Sequence, residues 1–221
     1  MKAMILAAGR GERMRPLTDH TPKPLLLAAG KPIIEYTIEQ LANAGFKEII
    51  INTAHLGAQF PETLGNGNRW GLKITYIFEG EQALETAGGI FNALPALGTQ
   101  PFLVVNGDIA SNYDFAQLRR IPIELAYLVL IDNPPHHAEG DFHLDAQSQL
   151  STLLTPKLTF SGIGVYHPEL FRHQSAGVSK LGPLLRQAIA EQKVSGEHFQ
   201  GFWMDIGTPE RLQALDHYYS N

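Results

Sequence analysis

Through the first half of the chain, short apolar runs alternate with longer stretches in which apolar residues recur every three or four positions. The runs are KAMILAA from Lys2, EIIINT at 48–53, KITYIF at 73–78, FLVVN at 102–106 and ELAYLVLID at 124–132. Runs rich in Ile and Val read as strands, and their alternation with helical stretches predicts βαβ units and a largely parallel sheet. Between the first two runs Ile34, Ile38, Leu41 and Ala42 fall at i, i+4, i+7 and i+8, with Pro32 placed to start a helix and Gly45 to end it. Leu181, Leu184, Leu185, Ala188 and Ile189 repeat that stripe, and Pro209 to His217 predicts a last short helix. The rhythm breaks at 141–144, 150–154 and 158–166, shorter strand-like segments that predict a mixed sheet extended on one side and an insertion suited to a substrate pocket.

A chain of 221 residues fits one domain, since domains commonly run ~100 to 200 residues. The hydrophobic share of 44% and charged share of 18% are ordinary for a globular protein. No stretch approaches the ~20 apolar residues of a membrane span, and the apolar core of MKAMILAAGRG is too short for a signal peptide. The chain has no cysteine, which excludes disulfides and thiolate metal sites and fits a reducing, cytoplasmic setting. A net charge of −5 removes any general attraction to nucleic acid, so basic residues matter here by position. In an open parallel sheet, ligands bind beyond the carboxyl ends of the strands, where loops 7–24, 79–88 and 106–112 gather.

The first of these loops, within LAAGRGERMRPLTDHTPKP at 6–24, combines flexible glycines with three arginines and a lysine. After a strand, such a loop lets backbone N–H groups approach phosphate oxygens. It lacks the spacing of a P-loop and the third glycine of a dinucleotide fingerprint. A glycine pair alone is also what any tight turn uses. The whole string GRGERMRPLT followed by PKPL, however, closely resembles the signature of the sugar-phosphate nucleotidyltransferases. The resemblance extends along most of the chain: ETAGG at 85–89 resembles that family's base-binding turn, NGD at 106–108 its metal-binding strand end, and WMDIGT at 203–208 its second metal carboxylate.

The resemblance implies an α/β, Rossmann-like fold with a mixed, mainly parallel sheet flanked by helices. It also implies transfer of a nucleoside monophosphate to a sugar 1-phosphate with release of pyrophosphate. Residues up to about 132 would then bind the nucleotide, and residues from about 133 the sugar and second metal ligand. The opening signature implies UTP as donor and N-acetylmuramate 1-phosphate as acceptor. A thymidylyl- or guanylyltransferase for glucose or mannose 1-phosphate, and a cytidylyltransferase for a small phosphate, are the alternative chemistries. A nucleotide-sugar sensor without catalysis is the alternative of another class. Oligomeric state is not legible.

Carried over by position, the motifs make Arg13, Lys23, Asp108 and Asp205 catalytic, with Asp108 and Asp205 holding Mg²⁺. The nucleotide falls to Ala8, Gly9, Gly11, Glu12, Arg13, Lys23, Glu79, Ala87, Gly88 and Asn106, and the sugar to Gly140, Asp141, Ser161 and Gly162. Glu12 stands where many relatives carry threonine, and Glu85 where guanylyl-transferring relatives often have glycine.

The chemistry is consistent with these residue types. Attack of a sugar phosphate on a nucleotide brings two anions together, so charge neutralisation and in-line positioning dominate. Arg13 suits two-pronged contact with pyrophosphate, and Lys23, stiffened between Pro22 and Pro24, suits charge at the α-phosphoryl group. Asp108, directly after FLVVNG, reads equally as a turn cap or a ligand. Asp205, inside GFWMDIG, is costly to bury without a metal or donors. Two carboxylates plus phosphate oxygens describe a magnesium site. Glu79 can accept N3–H of uracil or thymine, or N1–H of guanine, and reads as readily as a solvated strand end. His136, His137 and His143 lack zinc-site spacing and read as loop histidines, or as partners of an acidic group on the sugar.

Overall fold

The computed structural model of the chain describes residues 1–80 and 82–220. Its centre is a seven-stranded sheet of β1 (Ala3–Leu6), β2 (Glu48–Thr53), β3 (Lys73–Phe78), β4 (Phe102–Asn106), β5 (Ala126–Ile131), β6 (Thr159–Tyr166) and β7 (Val194–His198). The spatial order is β7-β5-β6-β4-β1-β2-β3. The β1, β2, β3 and β4 pairings are parallel, β7 runs parallel to β5, and β6 is antiparallel to both β4 and β5. The sheet is therefore mixed and mainly parallel.

Alternation along the strands explains why both faces are covered. Ala3, Ile5, Ile49, Ile51, Leu103 and Val105 enter one buried cluster, while Met4, Ile50, Phe102 and Val104 enter another on the opposite face. Side chains one position apart point to opposite sides of a strand, so a strand buried on both sides is apolar throughout. Helix α1 (Ile33–Asn43) lays Ile34, Ile38 and Leu41 on the first face. Gly45, at φ 85°, turns the chain at its end. Helix α2 (Gln59–Leu64) adds Phe60 and Leu64 to the same side. On the other face, α3 (Glu85–Leu97) contributes Ile90, Ala93 and Leu97, and α4 (Leu181–Ala190) contributes Leu181, Leu185, Ala188 and Ile189. On the first face, burial together with a hydrogen bond to Glu197 pushes the Tyr113 hydroxyl well above the usual phenol range, so it donates as a neutral group.

Helix α5 (Pro209–Ser220) closes a third cluster in which Met14, Leu26, Ala28, Ile33, Ala110, Ile206 and Leu215 meet. Stacked rings hold it there, with Tyr219 on Tyr36 and Tyr218 on Phe202 at centroid distances of 3.9 Å. This cluster joins the 7–24 loop to the strand pair 109–111 and 203–205, which run antiparallel with Asp205 opposite Ile109.

Three expectations change. The strand 158–166 enters the middle of the sheet as β6 rather than one side, while 143–144 and 150–151 form a ladder of their own. That ladder stays short because the Asp145 carboxylate accepts the N–H groups of Gln147 and Gln149 and bends the chain at once. The 85–89 turn is the first turn of α3, which continues through Pro95.

Candidate active site at the strand ends

The carboxyl ends of β1, β2 and β4 open onto one cleft of 380 Å³. Its floor depends on a close backbone approach. Gly107 donates its N–H to the Leu6 carbonyl at 2.9 Å, and a Cβ there would stand 2.7 Å from that oxygen, so only glycine lets β4 leave the sheet at this point. The next residue, Asp108, thereby emerges at the cleft edge, where its side chain forms an ion pair with Lys23. Lys23 lies in a single helical turn, 23–25, and its side chain is only 13% exposed.

The loop that delivers Lys23 is pinned at Gly11, whose φ of 64° is the left-handed region. Its carbonyl accepts the Met14 N–H at 2.8 Å and the Thr18 hydroxyl at 2.9 Å. A Cβ on Gly11 would sit 3.0 Å from Thr18 and 3.1 Å from Lys23. Met14 is fully buried beneath, so Arg13 on the same turn projects outward. A second hollow of 310 Å³ lies here, lined by Gly11, Glu12, Arg13, Lys23 and Gly207.

Gly207 is where the two ends of the chain meet. A Cβ on it would come within 3.1 Å of both Arg13 Nη2 and Asp205 Oδ2, and 3.4 Å of Arg211 Nη1. Asp205 is ion-paired to Arg211, and His136 Nε2 lies 3.3 Å from its other oxygen. The Ile206 N–H donates to the Asp108 carbonyl at 2.7 Å, so the two aspartates stand on adjoining strand ends. In the chain as folded, each carboxylate already has a cationic partner. Among the described residues no group of three or more His, Asp or Glu side chains could hold a metal ion. Two hard oxygen donors plus ligand phosphates nonetheless fit the chemistry of Mg²⁺, which commonly takes only one or two protein carboxylates.

Ala8, Gly9 and Asn106 line the cleft alongside Lys23 and Asp108. Glu79 does not present a free carboxylate to it. One Glu79 oxygen accepts from Asn52 Nδ2 at 2.7 Å and the other from the Leu84 N–H at 2.9 Å. Asn52, itself buried, accepts the Ala7 N–H at 3.0 Å. This Asn52–Glu79 link ties the ends of β1, β2 and β3 to the start of α3, and Gly89 packs against it because a Cβ would lie 2.5 Å from Glu79. Ala87 and Gly88 face away from the cleft: their N–H groups donate to the Ser179 carbonyl at 3.0 and 3.1 Å. Ala83, Glu85 and Thr86 form the wall instead. Glu85 holds φ at 61°, a conformation easy for glycine and strained for glutamate.

The sugar-side residues divide as well. A bulge in β6 between Phe160 and Ile163 brings Gly162, at φ 81°, against Asn106 of the cleft, within 2.5 Å of where its Cβ would be. Ser161 turns inward, donating to the Val129 carbonyl at 2.7 Å, while its own carbonyl accepts from Trp203 Nε1 at 2.9 Å. Asp141 accepts the Phe160 N–H at 2.8 Å and lies 3.1 Å from His137 Nε2, so its carboxylate holds the insertion to β6. Gly140, at φ 63°, packs on Asn133. Asn133 in turn donates to the carbonyls of Ala138 and Lys157 and accepts the Thr159 hydroxyl, across the neck of the insertion. His143 donates to the Pro156 carbonyl at 2.8 Å. Asn52, Arg211 and Trp203 escaped sequence reasoning. The available signals were a polar Asn directly after three isoleucines of a strand and an arginine six positions after Asp205.

Comparison with known proteins bears on the family and the fold. Residues 2–143 match the family model described as nucleotidyl transferase. A Neisseria meningitidis protein named N-acetylmuramate alpha-1-phosphate uridylyltransferase is 51% identical over 96% of each chain. A Caulobacter vibrioides protein of the same name is 30% identical over 97% of this chain and 95% of its own. Among solved structures, a Bacillus anthracis protein in complex with sucrose superposes with a TM-score of 0.85, at 22% identity, over 99% of this chain and 94% of that one. That last likeness speaks for the fold.

Proposed function

This chain belongs to the nucleotidyl transferase family, and within it we propose that the protein transfers UMP from UTP to N-acetylmuramate 1-phosphate, releasing pyrophosphate, in cytoplasmic recycling of cell-wall peptidoglycan. The observation that carries the substrate assignment is the 51% identity, across 96% of both chains, to the Neisseria protein of that name.

In this reading the backbone at Gly9 and Gly11 receives the phosphates, and Arg13, lying against Gly207, holds the leaving pyrophosphate. Lys23 faces the α-phosphoryl group and stabilises charge that develops there. No protein nucleophile takes part, because the oxygen of the sugar phosphate attacks directly. Asp108 and Asp205 would hold Mg²⁺, which supplies neutralisation of the triphosphate charge. The Asn52–Glu79 link shapes the base cavity rather than reading the base. Gly162, against Asn106, sets the boundary between donor and acceptor, with Gly140, Asp141 and Ser161 holding the acceptor side in place. Arg211, 3.4 Å from His136, supplies positive charge beside Asp205 for an acidic acceptor.

The test crosses UTP, dTTP, GTP and CTP with a panel of sugar 1-phosphates while pyrophosphate release is followed. The expected best pair is UTP with N-acetylmuramate 1-phosphate. Faster turnover of glucose 1-phosphate with dTTP or GTP overturns the substrate assignment. For the metal, Asp108→Asn and Asp205→Asn should each raise the Mg²⁺ concentration needed for turnover, and the double variant should be little worse than either, because residues acting as a unit are not additive.

A further inference from the structure

Five described residues other than glycine hold a positive φ: Ala29, Leu56, Glu85, Ser148 and Gln192. Of these five, Glu85 is the one that lines the donor cleft. A left-handed backbone is disfavoured for any residue with a Cβ, whereas glycine adopts it freely. Strain kept on a charged side chain at a ligand cleft points to work done by that side chain.

The Glu85 carboxylate is placed unlike the others of the site. Glu79 is tied to Asn52 and the Leu84 N–H, Asp108 to Lys23, and Asp205 to Arg211. Glu85, the exposed first residue of α3, has no hydrogen bond or ion pair from its side chain to any of the described residues. The cleft is lined by Lys23 and Pro24 and by Ala83, Glu85 and Thr86. Leu25, next to Pro24, packs on one face of the sheet and Ala87, next to Thr86, on the other. The two walls therefore rise from opposite faces, with Lys23 on one and Glu85 on the other.

With the α-phosphoryl group at Lys23, as the proposed function has it, the nucleoside extends toward the Glu85 wall. An ionised carboxylate only accepts hydrogen bonds. The pairing edge of uracil offers one N–H between two carbonyl oxygens, so a carboxylate set against it is repelled on both sides. The ribose offers two adjacent hydroxyl donors without that repulsion, and ribose hydroxyls take carboxylate partners in other nucleotide sites. We infer that Glu85 reads the ribose, accepting the 2′-hydroxyl, and so sets a preference for ribonucleotide over 2′-deoxyribonucleotide donors. It thereby separates UTP from dTTP, whose bases differ by a single methyl group. The inference rests on the proposed function in seating a nucleotide here with its phosphates at Lys23, and is indifferent to which base and which acceptor are used.

Calorimetric titration of the whole chain with UDP and with 2′-deoxy-UDP, in Mg²⁺ buffer and without turnover, reads the preference as a ratio of dissociation constants. Taking the ratio within each protein cancels any change that a substitution makes to the cleft as a whole. Wild type is expected to bind UDP at least ~10-fold more tightly, the order of one hydrogen bond to a charged group. Glu85→Gly should collapse the ratio toward one and raise the melting midpoint, because glycine adopts this backbone without strain. Glu85→Gln, which keeps one acceptor oxygen, should hold an intermediate ratio. A wild-type ratio near one overturns the inference. So does a Glu85→Gly protein with the wild-type ratio or a lowered melting midpoint, or a Glu85→Gln ratio no higher than that of Glu85→Gly. Failure of the UTP assignment shows elsewhere: GDP would then bind more tightly than UDP, while the ratio of GDP to 2′-deoxy-GDP still depended on Glu85.

Discussion

On the proposed function, the donor side and the acceptor side of this protein are built by opposite means. The donor side grows out of strands whose ends are fixed by close contacts that leave no room for a Cβ, Gly107 against the Leu6 carbonyl and Gly89 against the Glu79 carboxylate. Its charged groups are paired before any ligand arrives, Lys23 with Asp108 and Arg211 with Asp205. The acceptor side, between Asn133 and β6, rests on two-residue strands and side-chain clips, and carries Leu153 at 90% and Leu154 at 55% exposure. The difference shows where each kind of precision is needed. Phosphoryl chemistry requires charges held in place, so it sits on the sheet. On the proposed function choice of sugar falls to the insertion, a surface that can vary without disturbing that frame.

The sharpest way to break this contrast is at Lys23. Lys23→Ala should lower kcat by about 100- to 1,000-fold while the melting transition stays cooperative, measured by steady-state turnover and thermal unfolding. Near-native turnover would place Lys23 outside the chemistry. A smaller effect is expected at Asn52, which touches the cleft floor and holds Glu79. Asn52→Leu keeps the volume but orphans the Ala7 N–H and a Glu79 oxygen, at a cost of about 1–3 kcal/mol for each buried group left unsatisfied. The UTP KM should rise with little change in kcat. A loss of stability with an unaltered KM would make the link merely structural. Smallest of all is the effect of Leu153→Ser with Leu154→Ser, which should stay within about 0.5 kcal/mol in stability and leave the UTP KM unmoved. Any kinetic change should fall on the acceptor KM, and a shift in the UTP KM would dissolve the division between the two sides.

The same contrast governs what the sequence reveals. β1, β2 and β4 are legible because strands buried on both faces are written as nearly unbroken apolar runs, β3 because its residues are β-branched and aromatic, and α1 and α4 because their stripes keep the helical period. β7 is not legible: VSGEH has a glycine and three polar residues, and it pairs with β5 because Gly196 allows close approach, a Cβ there falling 2.4 Å from the Leu128 carbonyl. The meeting of Arg13 with Asp205 over Gly207 is a long-range event with no local signature. Asp141 and Glu79 show the converse. Each carries the residue type of a ligand contact, yet their oxygens are taken up by local N–H groups, and only coordinates can reveal that a carboxylate is already engaged.

Asn133 closes the neck of the insertion by bonding to Ala138, Lys157 and Thr159 at 2.8 to 3.0 Å. In polymer terms the segment between Pro134 and Pro156 becomes a loop closed at its base by Asn133, with the Asp141 carboxylate and the Phe142–Leu158 bridge as further ties. Closing such a loop becomes costlier only with the logarithm of its length, about 0.6 kcal/mol for each doubling. Segments of quite different length can therefore be exchanged beyond this neck while β5 and β6 keep their register, which on the proposed function makes the insertion a cassette for engineering new acceptors onto an unchanged transfer machine.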